Sequence, residues 1–125
     1  MLFQEEHIRQ IRNGEKTVTR RDWERRQVRA GGIYIASTEM FCSHEEADCY
    51  IRVTDVYEEY LGEITPAQAD REGGYTVEAF EQVWREINGS FDPWDRITVV
   101  EFEYVGREHP DRGDSNQQSM GEVSG

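Results

Sequence analysis

The chain has 125 residues, the length of one ordinary domain, and its hydrophobic content of 36%, with 14 aromatic residues, excludes a purely disordered polymer. Against 26 Asp+Glu stand 14 Lys+Arg, a net charge of -12, and 13 of those 14 are arginine because Lys16 is the only lysine. An acidic surface almost emptied of lysine fits a high-salt cytoplasm, where carboxylates hold water and mutual repulsion resists association.

QEEHIRQIRNG spaces Ile8 and Ile11 three apart among charged residues and stops at Asn13-Gly14, which predicts a short amphipathic helix. KTVTRRD then turns β-branched, and GGIYIAST and DCYIRVTDVYEEY carry the alternation of half-buried strands. Within CYIRVTDVY, alternation assigns Ile51 and Val53 to the core and Tyr50, Arg52 and Thr54 to the opposite face. ITPAQADREGG predicts a short helix capped by Thr65, opened by Pro66 and closed by Gly73-Gly74. YTVEAFEQVWREINGS predicts a longer one, capped by Thr76, with Val77, Phe80, Val83, Trp84 and Ile87 in one apolar stripe and Gly89 as the stop. After the loop FDPWD, RITVVEFEYVG predicts a closing strand. Together these elements predict an α+β fold, a small partly closed β-barrel with flanking helices, over residues 1–106, and residues 107–125 are expected to form a disordered polar tail.

No apolar run approaches the ~20 residues of a membrane span, and the glutamates of MLFQEEHIRQ stand where a secretory leader would be basic and then apolar. A cytoplasmic protein with no membrane partner is expected. Cys42 and Cys49 are too few for a disulfide framework, and with His44 they make an incomplete metal set, so thiols in a solvated hairpin and no metal are expected. Positions 1–36 carry a balance of +3 and leave -15 to the rest, which suggests either an anionic ligand near the N-terminal third or arginines paired with acidic neighbours.

IRNGEKTVTRRD, followed by the GGIYIAS strand, the AQADREGGYTVEAFEQVWREI helical stretch and the ITVVEFEYV strand, resembles the ASCH domain of the PUA-like superfamily over roughly residues 4–105. Within it the chain resembles the small bacterial enzymes that hydrolyse N(4)-acetylcytidine to cytidine and acetate. The resemblance implies a catalytic set of Lys16, Thr19 and Glu72, a pocket shaped by Arg21 with Thr17 and Arg20 beside it, and no cofactor. Arg20 stands where an apolar residue is usual in that group, and Glu63 and Glu78 are alternatives to Glu72.

The chemistry is coherent in itself. A threonine hydroxyl attacks an amide carbonyl only if a neighbour takes its proton, and a lysine does so when burial or nearby cations depress its pKa. Arginine, always protonated, cannot substitute, which accounts for a lone lysine. Residues three apart in a strand point to opposite faces, so Lys16 must lie in the Gly14 turn to share a site with Thr19. The alternative is a non-catalytic module that binds RNA or a modified base, with Trp23, Tyr34, Tyr50 and Trp94 available for stacking. The expected partner is thus a nucleoside or nucleotide, or RNA. His7 has no role evident in the sequence.

Overall fold

The structure, a computed structural model, describes residues 1–39 and 49–107. Cys42, His44 and the expected tail beyond Arg107 lie outside the described residues. In chain order the elements are α1 (Glu5–Arg12), β1 (Val18–Arg21), β2 (Ile33–Ala36), β3 (Cys49–Tyr60), a 3-10 turn (Leu61–Glu63), α2 (Pro66–Gly73), α3 (Val77–Asn88) and β4 (Arg96–Gly106). No helix among them is long and apolar enough to cross a membrane.

The strands form one antiparallel sheet in the order β1-β4-β3-β2. The long β3 and β4 are its spine, the four-residue β1 and β2 are its edges, and a parallel bridge from Leu2 to Ser37 continues past β2. This is the α+β, partly closed barrel with flanking helices that the pattern predicts.

β4 explains why the core sits on both sides of the sheet. Its run ITVV is buried throughout, and successive side chains alternate between faces. Val100 and Phe102 pack with Phe3, Ile8, Ile11, Ile51 and Val53 beneath α1, while Ile97 and Val99 pack with Val18, Leu61, Ala69, Phe80 and Trp84 beneath α2 and α3. Each buried Val, Leu, Ile or Phe among them contributes roughly 1.5–3 kcal/mol by leaving water.

The caps behave as the sequence predicts. Thr65 accepts from the Gln68 amide above Pro66, and Thr76 accepts from the Ala79 amide.

Two predicted faces are corrected. Ile51 and Val53 are buried as expected, but so is Tyr50, because the pairing of β3 with β4 slips between Tyr50 and Ile51. A second slip, between Val53 and Asp55, leaves Thr54 without an opposite number and carries Val56 to the core side. In α3, Phe80 and Trp84 are buried, whereas Ile87 is 61% exposed and Val83 is half-buried. The last turns of α3 wall a cavity instead of the core.

Candidate functional site

The turn after α1 positions the lone lysine. Gly14 adopts φ +77°, a left-handed conformation that ends the helix without strain, and the following amides of Glu15 and Lys16 both donate to the Gln10 carbonyl. Thr17 is held from the other side, its N–H donating to Arg71 O of α2 at 3.0 Å and its carbonyl accepting from Phe102 N of β4 at 2.9 Å. Lys16 therefore lies outside β1, pinned between two helices, and its side chain turns inward to only 2% exposure.

Its ammonium meets three acceptors: Glu72 O at 2.6 Å, Val18 O at 2.9 Å and Glu72 Oε1 at 3.3 Å. Arg20 completes the cluster, donating to Glu72 Oε2 at 3.2 Å, Glu59 Oε1 at 2.5 Å and Gln68 Oε1 at 2.9 Å. Glu72 is 4% exposed and Arg20 5%, so two cations share one buried carboxylate. Burial drives the Lys16 pKa below its ordinary value; Glu72 pulls it up, Arg21 and Arg20 push it further down, and the net direction is down.

Thr19 and Arg21 occupy the other face of β1. Arg21 Nε donates to Thr19 Oγ1 at 3.1 Å and its Nη2 to Leu2 O at 2.7 Å, while its guanidinium lies 4.8 Å from the Phe3 ring centre. Lys16 Nζ lies 6.0 Å from the same ring. The two faces of the strand thus converge across Phe3 into one cavity of about 740 Å³, within the usual range for small-molecule sites.

Lys16, Thr19, Glu72, Arg20 and Arg21 all line this cavity. Thr17 does not, which corrects its expected place beside the substrate. Its hydroxyl accepts from Arg71 Nε at 2.8 Å and faces a separate shallow depression lined also by Gln10, Asp70 and Arg71. Arg20 lines the cavity with a side chain that has no exposed surface, and its charge is engaged by Glu59 and Glu72. Of the alternative glutamates, Glu63 caps the 3-10 turn and Glu78 is exposed on α3; neither lines the cavity.

Solved structures share this arrangement of elements. An ASCH domain from Lactobacillus crispatus JV V101 superposes with a TM-score of 0.59 at 14% identity, covering 84% of this chain and 77% of that one. The fold is that of an ASCH domain. Protein EF3133 of Enterococcus faecalis V583, of the family DUF984, gives a TM-score of 0.57 at 17% identity over 89% of this chain and 73% of its own. A hypothetical protein, PH0355, gives 0.62 at 22% identity over 82% and 94%. No protein-family model and no curated protein matches the chain.

On this ASCH fold the cavity also contains residues that motif reasoning passes over: Phe3, His7, Tyr75 and the α3 pair Val83 and Ile87. His7 had one signal available, its position four residues before the buried Ile11, at the margin of the packed face of α1. Tyr75 had none, because it sits in a turn whose path only the packing of α2 against α3 decides. Of the four aromatics suggested for stacking, Trp23 lines the cavity, whereas Tyr34, Tyr50 and Trp94 do not. Among the described residues no group of three or more His, Cys, Asp and Glu side chains could hold a metal ion.

Proposed function

We propose that this chain is an amidohydrolase that removes the acyl group from N(4)-acetylcytidine or a related acylated nucleoside. One observation carries the reading: the only lysine lies buried at a cavity that it shares with Thr19, tied to Glu72 and pushed toward its neutral form.

In this reading Thr19 Oγ1 attacks the acyl carbonyl. The Arg21 N–H already donated to that oxygen stabilises negative charge developing on it, and lowers the cost of deprotonation. Lys16 takes the threonine proton. To do so it exchanges its longest hydrogen bond, the 3.3 Å contact to Glu72 Oε1, for the hydroxyl, while the two carbonyl bonds keep the amine in place. Lys16 then protonates the leaving nitrogen of the nucleobase, and water, deprotonated by the same amine, hydrolyses the acyl-threonine to carboxylate and free hydroxyl. The Glu72 carboxylate, fixed by Arg20, orients Lys16 before the proton transfer, and the Glu72 carbonyl holds it throughout.

The test is a chromatographic assay with N(4)-acetylcytidine in high salt, run beside Lys16→Arg and Thr19→Ala. Cytidine release by the wild type, with both variants at background and circular dichroism unchanged, supports the reading. Full activity in Lys16→Arg refutes the base assignment.

A second reading, binding of RNA or a modified base without catalysis, draws on the exposed Arg25, Arg26 and Arg29 in the loop that follows Trp23. It predicts RNA affinity that falls steeply with salt, and no cytidine release.

A further inference from the structure

The hydrolytic reading leaves one part of the cavity unused. His7 comes from α1 and Tyr75 from the turn between α2 and α3, and they meet with Nε2 2.9 Å from the phenolic oxygen. Their rings stand edge-on at 78°, with centres 6.1 Å apart, and Tyr75 rests on Phe80 at 6.5 Å. The meeting is built into the backbone. A Cβ at position 73 would lie 3.0 Å from Tyr75 Cε2 and 3.2 Å from His7 Nε2, so a side chain there would crowd both rings, and Gln10 holds the glycine by donating to its carbonyl at 3.1 Å.

Both groups are uncharged around neutral pH. Burial, with Lys16 and Arg21 nearby, holds the His7 pKa down to about 4 against the opposing pull of Glu6, and burial with Glu72 and Glu6 raises the Tyr75 phenol. A neutral imidazole has one donor and one acceptor, and a phenol has the same pair of functions. Whichever way the shared proton points, their mutual bond spends one donor and one acceptor, and one of each is left. That remainder does not depend on the tautomer. It complements the amide-like edge of an uncharged heterocycle, whereas a charged group here would be left desolvated and unpaired against such a ring.

We propose that His7 and Tyr75 form the subsite that selects the uncharged heterocyclic ring of the ligand, offering one donor and one acceptor beside the charged cluster of Lys16, Arg20 and Glu72. That the ring is a cytosine rests on the amidohydrolase reading, and cytidine is the ligand on which the subsite stands or falls. A ligand without the matching edge leaves both groups unpaired, which is how a hydrogen-bonding pocket rejects an analogue.

The experiment measures cytidine binding by calorimetry at pH 7.5, and N(4)-acetylcytidine kinetics, for the wild type, His7→Phe, His7→Gln and Tyr75→Phe. Tyr75→Phe removes a single oxygen and keeps the contact with Phe80, so it remains informative if His7→Phe folds poorly. Expected are cytidine binding by the wild type, a loss of about tenfold in Tyr75→Phe and in His7→Phe, and partial recovery in His7→Gln, which keeps a donor and an acceptor. In turnover the loss falls on KM more than on kcat, the reverse of a change at Lys16. Binding of cytidine with these losses but without hydrolysis refutes the hydrolase and supports the subsite. Hydrolysis with KM and cytidine affinity unchanged in both Tyr75→Phe and His7→Gln refutes the subsite and leaves the hydrolase standing. A wild type that binds no cytidine overturns the subsite outright.

Discussion

Two ion clusters built from neighbouring residues of α2 behave as opposites. On the inner side, Glu72 joins Lys16 and Arg20, with side chains 6%, 1% and 0% exposed. On the outer side, Arg71 joins Thr17 and Glu101, its side chain 41% exposed and its ion pair 3.3 Å long. Tyr57 extends that outer network by donating to Glu101 at 2.8 Å, and burial first, then the Glu101 bond, pushes its phenol up to about 12. Adjacent α2 residues, similar chemistry and similar distances thus give different energetics. Water screens the outer pair and leaves it worth little, while the inner cations have no solvent to fall back on.

The contrast is sharpest at Glu72. Glu72→Gln leaves Arg20 and Lys16 short of their shared countercharge, and a loss of about 3–5 kcal/mol in chemical denaturation is expected together with loss of turnover. Arg20→Met should destabilise in the same direction, because Glu72 and Glu59 would then face one another without the cation between them. If either variant were as stable as the wild type, the inner cluster would be no different in kind from the outer one.

Lys16→Arg separates chemistry from charge. A cation is retained, so the fold should survive, but kcat should fall by about 10²–10⁴ through loss of the general base.

A pH titration of stability probes the cavity by another route. His7 has a folded-state pKa of about 4 against an unfolded value of 6.5, so between those values the unfolded chain binds the extra proton. Stability is therefore expected to fall as pH drops from 6.5 toward 4, and the slope contributed by this residue should vanish in His7→Phe. An unchanged slope would mean that burial, with Lys16 and Arg21 beside it, does not hold the imidazole neutral.

The smallest effect belongs to the outer network. Arg71→Ala should cost about 0–1 kcal/mol, shrinking as salt rises, and turnover should stay near wild type. A large loss of activity there would extend the site to the depression around Thr17.

Much of this was legible because it depended on near neighbours in the chain. The stripe of α3 as far as Trp84, the caps at Thr65 and Thr76, and the buried run of β4 follow from spacing and local hydrogen bonding. The resemblance of IRNGEKTVTRRD to the ASCH domain is borne out at the level of the fold. It pointed to Lys16, Thr19 and Glu72, and these three do line one cavity. Alternation failed at Tyr50 and breaks after Thr54, itself exposed as expected, because a bulge depends on how a partner strand is cut and not on the bulged residues alone.

By itself, then, the sequence determined which segments become helix or strand and that one lysine stands among thirteen arginines, since both are properties of residue type and of spacing within a turn or two. Tertiary structure decided the rest. It buried Arg20 between two carboxylates from distant elements, turned Thr17 away from the cavity, left Ile87 facing the opening and brought His7 to Tyr75 across 68 positions. Those outcomes depend on solvent exclusion and on the meeting of elements far apart in the chain, and neither is written in local pattern.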